Sequence, residues 1–221
     1  MKNYLSPFFA IAIGTCALIA TAETKTPADW SAIKVELETI YKTDQAMRQE
    51  HNANEIEARA KGQEVDTSKR AELWKRIGAQ DRANQARIAE IIDQYGWPKK
   101  SDVGASGALT VFLVIQHADL PYQLKYIDRV RDAAAAGEAA KSQLALLEDR
   151  ALIRQDKPQR YGSQVATKGG VGLLPTEDEA NLDVRRASMG LGPICEYLGR
   201  FVKAYGKIVY PPCVKETADA N

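Results

Sequence analysis

Apolar residues recur every three or four positions in the first half of the chain, which is the pattern of a buried helical face. The first stripe runs from Trp30 to Met47 and follows Thr26-Pro27-Ala28-Asp29, a segment typical of a helix start. The second stripe covers residues 69–95 and ends at Gly96-Trp97-Pro98, which is typical of a helix end. The segment 49–68 is polar and lacks the stripe, so we predict a frayed helix end and a linker there.

Shorter apolar stretches predict the remaining helices. Residues 108–115 are apolar on nearly every side, which fits either a buried helix or a buried strand. No strand partner of similar quality occurs in the sequence, so we predict a helix. Further helices are predicted over 120–137, over 142–151, over 182–189 and over 193–205.

The segment 155–175 is rich in glycine and proline, which interrupt helices. Two short extended pieces, 161–165 and 171–174, can pair in it as a small hairpin. The sequence therefore predicts a mainly α protein: one irregular bundle of six to seven helices with a loop or β-hairpin insert near 155–175. We assign a single helical domain to 26–206 and a C-terminal tail to 207–221.

The first 22 residues have the pattern of a secretory signal peptide. Lys2 precedes an apolar segment, Phe8 to Ala20, and Ala20-Thr21-Ala22 presents the small residues that a signal peptidase requires. A membrane anchor is the alternative, but about 13 residues are too few for a hydrocarbon layer of about 30 Å. We therefore predict cleavage after Ala22, a periplasmic or secreted mature protein, and no membrane association after cleavage.

Composition and charge exclude several classes of protein. The 221 residues suit one ordinary domain, and 45% of them are hydrophobic, which is enough for a core. A formal net charge of +1 lacks the basic excess of a nucleic-acid-binding protein. Two histidines and three cysteines leave little material for a zinc site or an iron–sulfur cluster, so we predict no metal and no cofactor.

Removal of the predicted signal peptide changes the number of cysteines. Cleavage after Ala22 takes away Cys16 and leaves Cys195 and Cys213, an even pair in an oxidising compartment. We predict a disulfide between them, with two unpaired thiols as the alternative.

Two aspartates interrupt the apolar stripes of the first two predicted helices. Asp44 and Asp81 each have an arginine close along the same helix, Arg48 and Arg87. A charge on a buried face is costly unless it is paired and hydrogen-bonded. The two helices therefore present polar groups to a shared interior, either as part of a functional pocket or as an ion-pair network that holds the helices in register.

His117 follows the apolar run 108–115, with Asp119 two residues later. A histidine oriented by a carboxylate can act as a general base or acid, and Asp149 and Asp81 are candidate partners through space. The alternative is a histidine at a helix end that is satisfied by a backbone carbonyl.

Further polar side chains complete one predicted pocket. Amides donate and accept hydrogen bonds, and arginine offers a two-pronged donor for a carboxylate or phosphate. The predicted catalytic set is His117, Asp149 and Tyr161, and the predicted ligand-binding set is Asp44, Asp81, Asn84, Gln116, Asp119, Arg150, Gln159, Gln164 and Arg185.

A series of short motifs is similar to a bacterial domain family of unknown function. The resemblance covers roughly residues 30–200 and implies one domain, but it implies no activity. Members usually have threonine in place of Ser163, so the hydroxyl is kept. The motifs that carry it are Asp44-Gln45 with Arg48, Asp81 with Asn84 and Arg87, Tyr95-Gly96-Trp97-Pro98, Gln116-His117-Ala118-Asp119, Leu147-Glu148-Asp149-Arg150, Lys157-Pro158-Gln159, Tyr161-Gly162-Ser163-Gln164, and Arg185-Arg186 before Gly190-Leu191-Gly192-Pro193.

These observations leave three classes of function. The first is an exported cell-envelope protein whose pocket binds a small polar ligand, such as a peptide or glycan fragment. The second is a hydrolase with His117 as general base and a carboxylate partner. The third is a purely structural interaction protein. The sequence gives no oligomeric state, and the absence of an evident activated nucleophile favours binding over catalysis.

Overall fold

The computed structural model describes residues 27–214, so the predicted signal peptide lies outside the described residues. The fold is mainly α, as predicted, with one small two-stranded sheet. Within this range no helix is both long enough and apolar enough to cross a membrane. The helices are α1 (Trp30–Ala60), α2 (Thr67–Tyr95), α3 (Lys100–His117), α4 (Leu120–Ala135), α5 (Lys141–Ile153), α6 (Leu182–Ser188), α7 (Ile194–Gly199) and α8 (Val202–Tyr205).

Helices α1 and α2 form a long antiparallel pair. Asp29 caps α1 by accepting a hydrogen bond from the Ala32 N–H, and Asp66 caps α2 by accepting from the N–H groups of Ser68 and Lys69. Helix α1 continues to Ala60, so the prediction of a frayed end and linker from residue 49 is wrong up to that point. The polar end of α1 is stabilised by tertiary contacts, because Glu55 forms an ion pair with Arg70 of α2 at 2.8 Å.

Helix α3 lies at the centre of the main hydrophobic core, which confirms the helical interpretation of residues 108–115. Val111 and Ile115 are completely buried against apolar residues of the first five helices. Gly104 interrupts the helix near its start with a φ of 75°, a conformation that residues with a Cβ rarely adopt. The last residue of α3, His117, is partly exposed and contacts α1 through Asp44.

The insert between α5 and α6 contains the predicted hairpin. Strand β1 (Val165–Ala166) pairs antiparallel with β2 (Gly172–Leu173), and Val165 lies opposite Leu173. A second, smaller core joins this region to the last helices through Val171, Leu182, Ile194, Leu198 and Tyr210.

The C-terminal part differs from the prediction in two respects. The predicted helix 193–205 is two helices, α7 and α8, separated by a turn next to Gly199, a poor helix former. Residues 207–214, which we predicted as part of a tail, pack on the domain: Val171 bonds to Lys207 and Val209 through backbone groups at 2.9 and 2.8 Å. The Sγ atoms of Cys195 and Cys213 are 2.00 Å apart, which is the predicted disulfide.

Candidate functional site

A histidine–aspartate pair lies where the end of α3 meets the middle of α1. His117 Nδ1 is 3.0 Å from Asp44 Oδ1, and Asp44 is only 1% exposed. Burial acts to raise the pKa of Asp44, but the hydrogen bond and charge of His117, with further help from Arg48 and Gln45, hold this pKa below its ordinary value. The carboxylate is therefore ionised at neutral pH and accepts the hydrogen bond, so Nδ1 carries the proton.

The other ring nitrogen of His117 is available for chemistry. Among residues 27–214, Nε2 has no hydrogen-bond partner, and the side chain is 14% exposed. In the neutral ring this nitrogen has a lone pair, because the Asp44 carboxylate holds the proton on Nδ1. The pair therefore has the geometry of an oriented general base.

Arg48 connects Asp44 to Asp81 on the neighbouring helix. Its Nη2 is 2.9 Å from both carboxylate oxygens of Asp81, and its Nη1 is 3.4 Å from Asp44 Oδ1. The Asp44 side chain also accepts a hydrogen bond from Gln45 at 2.6 Å. Both aspartates predicted to share an interior are therefore joined through one arginine. This network also joins α1 to α2, which is a structural role.

Arg150 on α5 brings a second arginine to the end of α3. Its Nη1 donates to the Gln116 carbonyl at 3.1 Å, and its Nε donates to Gln164 Oε1 at 3.2 Å. Both acceptors are neutral, and Nη2 has no partner among the residues that the structure describes. Burial, with the charges of Arg154 and Arg48, lowers the pKa of Arg150 to about 10. We call Asp44, Arg48, Asp81, His117 and Arg150 the His117 cluster.

Arg154 extends the cationic surroundings of this helix end. One turn after Arg150, it donates from Nη1 to the carbonyl of Ala118. Carbonyl groups at a helix C-terminus carry partial negative charge, so both arginines stabilise the end of α3. His117 lies between the two carbonyls that they bind.

Asp149, which we predicted to be catalytic, holds a loop. Its carboxylate is fully buried and accepts hydrogen bonds from the backbone N–H groups of Arg160, Tyr161 and Ser163, with shortest distances of 2.8, 3.0 and 2.8 Å. Burial raises the pKa of Asp149, and these three N–H groups oppose the increase. The partner of His117 is Asp44 instead.

Gln159 and Gln164 serve the same loop. Gln159 is fully buried and its amide donates to the carbonyls of Gln164 and Leu174 at 2.9 and 3.1 Å, which ties the loop to the hairpin. Gln164 donates to Ser163 Oγ while its oxygen accepts from Arg150. Of the two glutamines, Gln164 is the one that contacts the His117 cluster.

The side chains of the other predicted site residues bond to groups outside the His117 cluster. Tyr161 directs its hydroxyl to Glu148 at 3.5 Å, and Asp119 caps α4 through the Tyr122 N–H at 3.0 Å. Gln116 donates to the Leu146 carbonyl at 3.3 Å, and its buried Oε1 has no partner among the described residues. Asn84 accepts from Gln80 at 2.9 Å, while Arg185 pairs with Asp178 at 3.0 Å.

Three residues near the site were not in the predicted set. Arg48 has a sequence signal, because it lies one turn after Asp44 on the same helix. Arg154 and Tyr197 have none, since their positions depend on packing. The Tyr197 hydroxyl donates to the Ser163 carbonyl at 2.8 Å, and the phenol acts to raise the pKa of Arg150 against the effect of burial.

Two further features of the described residues concern metal ions and cavities. Within residues 27–214, no group of three or more histidine, cysteine, aspartate or glutamate side chains is arranged to hold a metal ion. A groove of about 810 Å³ opens between the end of α1 and the hairpin, but neither His117 nor Arg150 lines it.

The comparisons with known proteins identify a family and no activity. The family model of DUF6624, a family of unknown function, matches residues 31–210. No curated protein and no solved structure matches the chain. The matched segment contains the His117 cluster, the loop that Asp149 holds and the disulfide's first cysteine. Since the match covers most of the chain, the protein belongs to the DUF6624 family of unknown function.

Proposed function

We propose that this protein is an exported binding protein of the cell envelope, and that the His117 cluster binds a small polar ligand through an anionic group. The observation that carries the proposal is that Arg150 has no anionic partner among the described residues. This mostly buried guanidinium has only neutral acceptors, and its Nη2 is unbonded within residues 27–214. A carboxylate or phosphate would complete its hydrogen bonds and balance its charge.

His117 adds a second contact for the same ligand. Its Nε2 accepts a hydrogen bond when the ring is neutral, so a hydroxyl or amide N–H of the ligand can donate to it. The combination of an anion-binding arginine and a neutral acceptor suits a peptide or glycan fragment. Export is supported by the predicted leader over residues 1–22 and by the Cys195–Cys213 disulfide, which is typical of oxidising compartments.

Binding is tested with matched charged and neutral probes. Dipeptides and sugar acids with a free carboxylate are titrated by calorimetry beside the corresponding amides and neutral sugars. We expect carboxylate probes to bind the wild type, and Arg150→Gln to weaken them at least about tenfold, because a hydrogen bond to a charged group contributes about 1.5 to 3 kcal/mol. Arg131→Gln, which changes an exposed arginine of α4, should bind as the wild type does.

Two results would contradict the proposal. One is equal affinity for the carboxylate probes and their neutral counterparts, and the other is unchanged affinity in a folded Arg150→Gln variant. If that variant does not fold, His117→Gln takes its place, because the His117 side chain is partly exposed at the edge of the core.

A hydrolase is the second candidate, and the 3.0 Å contact between Asp44 and His117 favours it. His117 would take the proton from an attacking water while Asp44 stabilises the imidazolium that forms. Ser163 does not suit the role of nucleophile, since it is 5% exposed and its hydroxyl accepts from Gln164.

Catalysis is tested with chromogenic esters, amides and phosphoesters. If the protein turns one of them over, we expect His117→Ala to lower the rate by about 10²- to 10⁴-fold, the usual contribution of a general base. His51→Ala alters the other histidine, which packs on Trp74 of α2, and serves as the control. Turnover that survives in His117→Ala excludes the histidine as the base.

A further inference from the structure

A second candidate site lies away from the His117 cluster, where the end of α1 approaches the hairpin and α8. The groove of about 810 Å³ is large enough for a small molecule. Asp44 and Arg59 are 15 positions apart on α1, which corresponds to about 22 Å along the helix. We call this space the hairpin groove. Its principal polar side chains are Arg59, Glu64, Thr67, Arg70, Lys168 and Tyr205.

Arg70 lines the groove and is paired with one of its carboxylates. Its Nη2 lies 2.8 Å from Glu55, and its Nε is buried without a hydrogen-bond partner in the described chain. Because Nε is closed to water, a ligand in the open groove meets only the exposed part of this side chain, which is 39% exposed.

Arg59 adds a guanidinium that has no carboxylate partner among the described residues. It has no ion pair and no side-chain hydrogen bond among residues 27–214, and it packs directly on Gly206. A Cβ at residue 206 would collide with the guanidinium, and the φ of 94° at Gly206 also requires glycine. The backbone between α8 and the C-terminal segment therefore leaves room for this arginine against the groove wall.

Donors exceed acceptors across the groove. Lys168, at the turn of the hairpin, is exposed and has no ion-pair partner within the described range. Burial raises the pKa of Tyr205, so its hydroxyl remains a donor at neutral pH. Of the two carboxylates that line the groove, Glu55 is already paired with Arg70, which leaves only Glu64 against the remaining cations.

We propose that the hairpin groove binds a small molecule bearing a multivalent oxyanion, with phosphate as the favoured group. Three cationic side chains line the groove and only Arg70 is paired there with a carboxylate, so an oxyanion with several acceptor oxygens can contact more than one of them. The proposal is independent of the function proposed for the His117 cluster, because no residue is shared between the two sites.

The test is calorimetric titration of the full folded chain with inorganic pyrophosphate, with acetate as the monovalent comparison. We expect pyrophosphate to bind more tightly than acetate, because only the multivalent anion can contact several cations of the groove at once. Arg59→Gln and Lys168→Gln should each weaken pyrophosphate at least tenfold, and both side chains are exposed, so the variants should fold. Glu64→Gln should strengthen binding several-fold, because it removes the like charge.

Two control variants test whether pyrophosphate binds in the hairpin groove or at other cationic side chains. Arg76→Gln removes an exposed arginine of α2 that lies outside the groove, and it should leave pyrophosphate affinity unchanged. Arg150→Gln removes the anion-binding arginine of the His117 cluster, so Arg59→Gln should still weaken pyrophosphate at least tenfold in the Arg150→Gln background. Loss of affinity in Arg150→Gln with none in Arg59→Gln would place the anion at the His117 cluster and overturn the proposal, as would a wild type that does not bind pyrophosphate.

Discussion

Replacing Asp149 by alanine should lower the free energy of unfolding by about 3 to 5 kcal/mol, the largest effect that we expect from a single substitution. The carboxylate is the shared acceptor for three backbone N–H groups of the 160–163 loop, and the substitution leaves all three without it. Each unsatisfied buried donor costs about 1 to 3 kcal/mol, and entry of water reduces the sum. Since a typical domain is stable by about 5 to 15 kcal/mol, the variant should approach the limit of folding.

Urea unfolding followed by circular dichroism measures the effect, and two variants calibrate it. Asp149→Asn keeps one acceptor oxygen but turns a donor amide towards a backbone N–H, so it should lie between alanine and wild type. Glu148→Gln alters the neighbouring carboxylate, which pairs with the exposed Arg131, and should cost less than about 1 kcal/mol. An alanine variant as stable as Glu148→Gln would show that the loop does not depend on Asp149.

Removing the disulfide should have the second-largest effect. Cys195 and Cys213 are 18 residues apart, and closing a loop of that length stabilises a protein by about 3 kcal/mol in the chain-entropy model. We expect the double variant Cys195→Ser/Cys213→Ser to lose about this amount. Reductant should lower the stability of the wild type to the same level and leave the double variant unchanged.

The loss should be concentrated in the smaller core. The C-terminal segment also bonds to Val171 through backbone groups, and the Tyr210 hydroxyl donates to Glu179 at 2.9 Å. Hydrogen exchange at the amides of Val171 and Val209 should therefore accelerate, while amides in the middle of α3 keep their protection. Equal stability of the double variant and the wild type would mean that these contacts suffice without the bond.

Periodicity identified most of the helices because each of them buries an apolar face of its own. The stripes predicted α1, α2 and the helices after them, and Gly96 with Pro98 marked the end of α2. Two errors have different causes. The polar end of α1 depends on contacts with another element, such as the Glu55–Arg70 pair, which leave no apolar stripe. The break between α7 and α8 lies next to Gly199, inside a stretch whose apolar stripe predicted one continuous helix.

In the candidate site, too, local sequence patterns predicted some features and missed others. The sequence alone identified His117, Asp44 and Asp81 as polar residues on apolar faces, because an interrupted stripe is a local pattern. It did not pair them correctly: the carboxylate at His117 belongs to Asp44, and Asp149, next to Arg150 in sequence, directs its oxygens to a loop.

By itself, then, the sequence determined the mainly α class, the family and the polar residues that interrupt the core. Only the tertiary structure decided which carboxylate meets the histidine, which arginine lacks a charged partner, and where a donor-rich groove opens. The physical reason is one of range. Helix formation and amphipathicity depend on residues three or four positions apart, whereas Asp44 and His117 meet across 73 positions of chain, through the packing of α1 on α3.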